Sequence, residues 1–439
     1  MLRASGILAI ALLVIPQVAV ADNNDQVVAG TDVALTGGAV VANVHTGGAL
    51  WYNPAGVARL DGQSVTLSGA LIEYSIVHAP GALSIEGGEQ SGGEYTSLHV
   101  VPRAFVYVAA PQPNLRWGIG LFYSRSLNRF IQDSVSTASG SSEPAQFFAS
   151  ANERTFVYHL SSAVAWKHSK KLLVGGAFDL VMASQRVSEG VSGAYAQGQG
   201  GALSLDVNQS ISGGGLQIKA GVQWAPINAV RIGWMVAMPS YLAFLSERST
   251  STQTWAPPTG SPQFTGNQID QVNAAWAGVE PGLTRLGVAY LGSWGWVESD
   301  LVVAFPLHTS QLDIDLNATA DVQVGGVFRV TDHLKLGCGF FTDFSAEPTP
   351  SRFAETDVDF YGFTVGADFV NREQTEENSQ DGFYLALAIA FRYAHGTGTM
   401  GGVTFPAAYP APPAQPAELN LVDIKVDELS VNLAFKAAF

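Results

Sequence analysis

In FYLALAIAFRY, residues 383 to 393, Phe383, Leu385, Leu387, Ile389, Phe391 and Tyr393 occupy every second position, with Ala386, Ala388, Ala390 and Arg392 between them. A period of two marks a strand with one apolar face and one small or polar face. The chain ends on ELSVNLAFKAAF, where Leu429, Val431, Leu433, Phe435, Ala437 and Phe439 alternate with Ser430, Asn432 and Lys436. Termini are usually frayed and polar, so an amphipathic terminal strand closing on an aromatic ring needs a partner. About 14 such segments recur, each near the ~10 residues that cross an outer membrane at a tilt. They begin near residues 63, 97, 116, 154, 171, 215, 228, 283, 296, 321, 334, 357, 382 and 426.

Connections alternate in length. Short ones at 110 to 115, 168 to 170, 226 to 228, 292 to 295 and 331 to 333 face long ones at 79 to 96, 126 to 153, 188 to 213, 247 to 281, 307 to 320, 345 to 356 and 395 to 425. Short turns on one side and long loops on the other predict an all-β, 14-stranded antiparallel transmembrane β-barrel. The exception is NREQTEENSQD at 371 to 381, a long connection on the short side. Trp166, Trp224, Trp234, Tyr290 and Tyr393 lie near strand ends, where interfacial rings sit. A soluble β-sandwich also alternates, but one of this size, if exported, should show linkers and disulfides.

Composition supports the exported barrel. Arg3 precedes the apolar run GILAIALLVIPQVAVA, and Ala19-Val20-Ala21 supplies the small residues a signal peptidase accepts, so residues 1 to 21 are expected to be a signal peptide. No later stretch approaches 18 uninterrupted apolar residues. With 47% hydrophobic and 13% charged residues the chain is too apolar for disorder, and 47 glycines and 23 phenylalanines suit β structure. A net charge of −15 argues against nucleic acid. Cys338 is alone, which excludes an intramolecular disulfide and a cysteine metal cluster, so the exported chain must be held by another device, and barrel closure is one. The eight histidines show no HExxH, and neither GxSxG nor a phosphate loop occurs, so neither an enzyme nor a cofactor is expected.

Residues 30 to 62 lack period two and are rich in small residues; their core is ALWYNPAGVARL. This motif resembles the N-terminal motif of the FadL/TodX family of outer-membrane transporters for long-chain fatty acids and aromatic hydrocarbons. VVPRAFVYVAAPQPNLRWGIGLFYS (100 to 124) resembles the family's second hairpin. GFFTDFSAEPTPSRF (339 to 353) resembles a strand-to-loop passage late in the chain, and the terminal VNLAFKAAF matches as well. The resemblance implies a barrel of residues 63–439 stoppered by an N-terminal hatch, residues 22–62. It further implies capture between outer loops, release sideways through a gap in the wall toward the periplasmic side, and a terminal strand presented to the barrel assembly machinery of a Gram-negative cell.

Site residues follow in part from the residues themselves. Asn53, Pro54, Ala55 and Gly56 match the hatch motif; Asn and Gly tolerate left-handed backbone and Pro fixes its own, so this turn could reorder without melting a helix, or could be an ordinary turn. Pro102 lies inside a strand pattern and cannot donate to a ladder, so it implies a bulge or gap. Gly118 and Gly120 are placed toward the lumen beside it, making 100 to 122 the candidate lateral exit; a bulge that only adjusts curvature is the alternative. Leu203, Leu205, Val207, Ile211, Trp255, Phe264, Ile269 and Trp276 give the long loops an apolar content that could shelter an acyl chain or pack on itself. Parity places His159, Asp179, Lys219, Arg231, Arg285, Glu298, Asp300, Arg329, Asp368, Arg392 and Lys436 in the lumen, as ion pairs holding plug to wall, with contact to a substrate carboxylate the alternative for some of them. The expected function is passive, hatch-gated uptake of hydrophobic compounds, long-chain fatty acids first and aromatic hydrocarbons next, at the outer membrane. Alternatives are a structural or adhesive barrel with a shut lumen and a general diffusion porin.

Overall fold

The computed structural model describes residues 27–60, 62–137, 145–195, 201–256, 263–273, 276–309, 314–371, 383–406 and 418–439. The expected signal peptide lies outside the described residues.

Fourteen antiparallel strands close into one barrel. In chain order they are β1 (Ser64–His78), β2 (Glu94–Gln112), β3 (Leu115–Ser136), β4 (Ala145–Lys167), β5 (Leu172–Tyr195) and β6 (Gly201–Ile227). β7 runs in two parts, Val230–Ala237 and Ser240–Ala256, and β8 in three, Gln263–Asn273, Ala277–Glu280 and Leu283–Gly292. The rest are β9 (Gly295–Ala304), β10 (Thr319–Thr331), β11 (Leu334–Asp343), β12 (Thr356–Val370), β13 (Tyr384–Phe405) and β14 (Glu418–Ala438).

The terminal strand finds its partner in β1, which it pairs from Ser64↔Ala438 to His78↔Lys425. Gln63 N–H donates to the Phe439 carbonyl at 3.1 Å and Phe439 N–H returns a bond to Gln63 at 2.9 Å. Closure removes the edges that an open sheet would expose to lipid. Outward positions are apolar: Val322, Val324, Phe363, Val365, Phe369, Phe391 and Leu429 are exposed, while their inward neighbours are buried or half-buried. Trp166, Trp224, Trp234 and Tyr290 stand outward near the short turns, as an interfacial belt requires.

The long connections differ from the sequence reading. Much of 126 to 153, 188 to 213, 247 to 281 and 395 to 425 is strand, because β3 to β8, β13 and β14 continue outward well past the membrane's thickness. These extensions are rich in Ser, Thr, Gln and Gly, so they carry little apolar signal, yet backbone ladders need none. Two further pieces fold inward. The strand Leu83–Ile85 pairs in parallel with Val403–Phe405 of β13, and a hairpin joins Leu307–Thr309 to Ile314–Leu316.

Candidate functional site: a closed bore with a seam in its wall

Residues 27–60 pack inside the barrel as two short helices, α1 (Thr31–Thr36) and α2 (Ala49–Tyr52), followed by a 3-10 turn at Pro54–Arg59. Small residues predominate because the segment must thread a cylinder whose inward side chains already crowd it. The wall makes room with glycine. A Cβ on Gly221 of β6 would lie 2.1 Å from Asn53 Oδ1, one on Gly175 of β5 would lie 2.5 Å from the Pro54 carbonyl carbon, and one on Gly339 of β11 would lie 2.1 Å from the Thr36 carbonyl oxygen. Gly233 and Gly325 admit Val41 and Thr36 in the same way.

Polar contacts fix this seat. Asn53 caps the 3-10 turn, accepting the Ala55 N–H at 3.1 Å, while its amide donates to the Val41 carbonyl at 2.9 Å and to Val222 of β6 at 3.1 Å. The Asp300 carboxylate on β9 accepts the Val40 and Val41 N–H groups at 2.7 and 3.0 Å, and Glu298 accepts Ala42 N–H. Arg231 donates to Asn43, Lys436 to the His45 carbonyl, and Gln223 to Val41. Those from Arg231 and Lys436 are charge-assisted bonds in a partly buried setting, the strong kind. Within the segment, Asp32 binds Thr46 and the Val33 and His45 N–H groups. Desolvation holds the His45 imidazole below its ordinary value, against the pull of Asp32.

Above the segment the bore is pinched. At the break between Met238-Pro239 of β7 and Pro281-Gly282 of β8, where prolines interrupt both ladders, Glu280 turns inward. Its carboxylate meets His159 Nε2 of β4 at 3.0 Å and accepts Ser124 of β3 at 2.9 Å and Ser240 at 2.6 Å. β3 and β8 stand five strands apart, so this one side chain links well-separated parts of the wall across the bore. His159 also meets Asp179 at 3.2 Å, and Lys219 meets Asp179 at 2.7 Å. Trp51 of α2 stands edge-on to His159 at 5.0 Å and beneath the Lys219 ammonium at 3.7 Å. Segment and constriction are thus one packed unit.

The wall itself is incomplete. The β2–β3 ladder runs from Gln112↔Leu115 to Ala104↔Phe122 and stops there. Beyond it, β2 pairs with β1 and β3 pairs with β4, so two strand edges face each other unladdered. About eight residues separate this point from the periplasmic turn, or ~20 Å at ~3.3 Å per residue and ~40° of tilt. The seam therefore opens near the outer margin of the ~25 Å apolar band. Tyr95 of β2 donates to Asp133 of β3 across it at 2.8 Å. The Leu83–Ile85 strand lies against β3 from inside.

The sequence-derived residues distribute as follows. Pro102 lies exposed at the foot of the seam, where the β1–β2 register slips on both sides of Gly69↔Pro102. Gly118 and Gly120 face inward but sit within the continuous ladder, opposite Val108 and Val106, and their missing side chains accommodate Leu50 and Phe122. Below Ala104 that ladder shows one slip, between Ala109 and Gln112, so the seam lies on the outward half of the barrel. Val207 and Ile211 are buried on β6, Ile211 against Leu242, Ala277 and Leu307, while Leu205 is half-buried and Trp276 exposed. The backbones of Leu203, Trp255, Phe264 and Ile269 are in strands, and their side chains lie outside the described residues. In the lumen set, Arg329 shares the inward parity but stands exposed at the periplasmic end of β10. Sequence reasoning missed Glu280, Tyr95 and a second apolar cluster in the outer half, where Phe147 and Phe405 stack at 4.0 Å with Phe353, Phe360 and Met400 around them. The alternation of Ala145, Phe147, Ala149 and Ala151 was the available signal.

Comparison with known proteins agrees with this architecture. The structure resembles a Pseudomonas aeruginosa FadL homologue (TM-score 0.57, 11% identity, covering 93% of this chain and 98% of that one). It also resembles the Pseudomonas putida toluene transporter TodX (0.57, 16%, 92% and 98%) and the Ralstonia pickettii toluene transporter TbuX (0.55, 12%, 93% and 98%). No curated protein sequence matches the chain. The family model for outer membrane protein transport proteins (OMPP1/FadL/TodX) matches residues 11–241, more than half of the sequence, and the chain belongs to that family.

Proposed function

We propose that this barrel is a passive channel for apolar compounds across the outer membrane, long-chain fatty acids first and monoaromatic hydrocarbons second, with residues 27–60 acting as the hatch. The observation that carries the reading is the combination of a bore shut along its axis with a wall unladdered on one side. A porin needs a water-filled axis, and here Glu280 bridges it and α1, α2 and the Asn53–Gly56 turn pack beneath. A merely structural barrel has no use for a break in the ladder between two wall strands, which forgoes the closure that removes sheet edges.

Apolar cargo fits such a path. Binding gains ~0.8 kcal/mol per buried CH₂, and release through the seam delivers it directly to lipid. The apolar side chains near Ile211 and Val207 are the proposed capture surface, and Asn53–Gly56 the proposed hinge. Sugar-driven swelling of proteoliposomes separates a porin from this reading: no swelling is expected. Uptake of radiolabelled oleate and toluene by a transporter-deficient strain, at equal surface abundance, tests the rest. Uptake no greater than in cells with empty vector would remove it.

A further inference from the structure

The passage from β11 to β12, residues 344–355, carries the motif FSAEPTPSRF, for which the hatch and seam give no role. It does not lie over the outer rim. Its Arg352 guanidinium meets Glu189 of β5 at 3.2 Å, and β5 stands seven strands from β12, half-way round a 14-stranded barrel. Arg129 of β3 donates to the Ala354 carbonyl at 3.1 Å, and Ala346 packs against the cluster of Ile211 and Leu242. The segment therefore crosses the whole bore, outward of the Glu280 constriction. Phe353 and Ala354 are buried among Phe147, Phe360, Met400 and Phe405.

Its fastening differs from that of the N-terminal segment. Ala354 has φ 63°, a left-handed conformation that a residue with a Cβ adopts at a cost. Backbone bonds tie it to the wall at Gly401: Ala354 N–H donates to the Gly401 carbonyl at 2.8 Å, and Gly401 N–H to Glu355 at 2.9 Å. A Cβ on Gly401 would lie 1.8 Å from the Arg352 carbonyl oxygen, so the wall residue is shaped for this contact. On the far side the hold is electrostatic, with Arg352 shared between Glu189 and Glu355 (3.6 Å). Fixing point and charged contact thus lie within four residues of each other: the backbone is held to β13 at Ala354 and Glu355, and from there the Arg352 side chain reaches across the bore to β5.

We propose that residues 344–355 form a second closure of the bore, separate from the N-terminal segment, with Arg352 as the clasp, Phe353 as the seal and the wall-bound Ala354 as the hinge, and that this strap swings aside for each passage. The inference rests on the uptake reading, but its movement is measurable without any substrate. The exposed native thiol is first removed with Cys338→Ser, and Phe353→Cys places a thiol in the seal. Labelling by a water-soluble maleimide is then timed on barrels whose heat-modifiable gel mobility shows them folded. Arg352→Ala should speed labelling about tenfold or more, because Glu189 loses its partner, whereas Arg352→Lys should change it less than threefold. Ala354→Gly, which relieves the strain without altering charge, should slow labelling about fivefold; it also serves if the alanine variant misfolds. Equal rates in all variants would overturn the strap. Oleate and toluene uptake is read in parallel: a labelling response without uptake in the parent protein removes the transport reading and leaves the strap, and uptake without a labelling response does the reverse.

Discussion

Replacing Gly221 with alanine tests whether the wall is shaped around the Asn53–Gly56 turn. The added methyl would lie 2.1 Å from Asn53 Oδ1 and 3.1 Å from Pro54 Cδ, well inside contact distance, so the turn must move. Overpacking of this kind costs ~1–3 kcal/mol. Moving Asn53 also loosens its bonds to Val41 and Val222 and its cap on Ala55, each worth ~1 kcal/mol. The seat should therefore weaken by about 3 kcal/mol or more, roughly a hundredfold in the population of the displaced turn. Arg59 follows this turn and donates to Gln223, so tryptic cleavage after Arg59 in detergent-solubilised barrels reports displacement. Gly221→Ala should be cut about a hundred times faster than the parent protein. Gly176→Ala is the matched control, because Gly176 is exposed and its added methyl would meet nothing closer than the Lys219 carbonyl at 3.7 Å. Equal cleavage of Gly221→Ala and the parent would refute the fitted seat.

Other consequences follow from the same geometry. Asp300→Ala combined with Glu298→Ala removes the oxygens that accept the Val40, Val41 and Ala42 N–H groups; the seat should weaken by about 2 kcal/mol or more, seen as faster cleavage after Arg59. Glu280→Gln strips His159 and two serines of a shared carboxylate and should lower the temperature of the barrel's gel-mobility shift, since breaking a buried pair costs ~3–5 kcal/mol; an unchanged midpoint would show that the constriction is not held there. Gly120→Trp must push aside Phe122 and Val106 and should slow oleate uptake while the folded gel mobility persists; normal uptake would separate this stretch from the route.

The strands and their closure were legible because lipid outside and small residues inside impose period two, as in Phe383 to Tyr393. The N-terminal seat was legible in part. Asn53 and Pro54 announce a turn, but the glycines that receive them are scattered over several strands, and no local pattern links Gly175 or Gly221 to residue 53. The outer strand extensions were read as loops because their ladders rest on backbone bonds between polar residues. Ile211, assigned to the long connection 188 to 213, is buried because it sits at an inward position of β6. The seam left no trace beyond Pro102: the loss of pairing between β2 and β3 depends on what each strand does with its other neighbour. Glu280 was hidden for a similar reason, since its partners on β3 and β4 lie more than 100 residues away, and the reach of the strap to Glu189 is equally non-local.

The route through the wall can be tested by obstructing it. Ser97 of β2 has inward parity on the seam side of Pro102. In the Cys338→Ser background, Ser97→Cys can be loaded with a bulky methanethiosulfonate reagent and released again with reductant. Radiolabelled oleate uptake in a transporter-deficient strain, at equal surface abundance, is then measured before loading, after loading and after release. Sideways exit requires uptake to fall to the empty-vector level on loading and to return on reduction. Undiminished uptake by fully modified protein would contradict it.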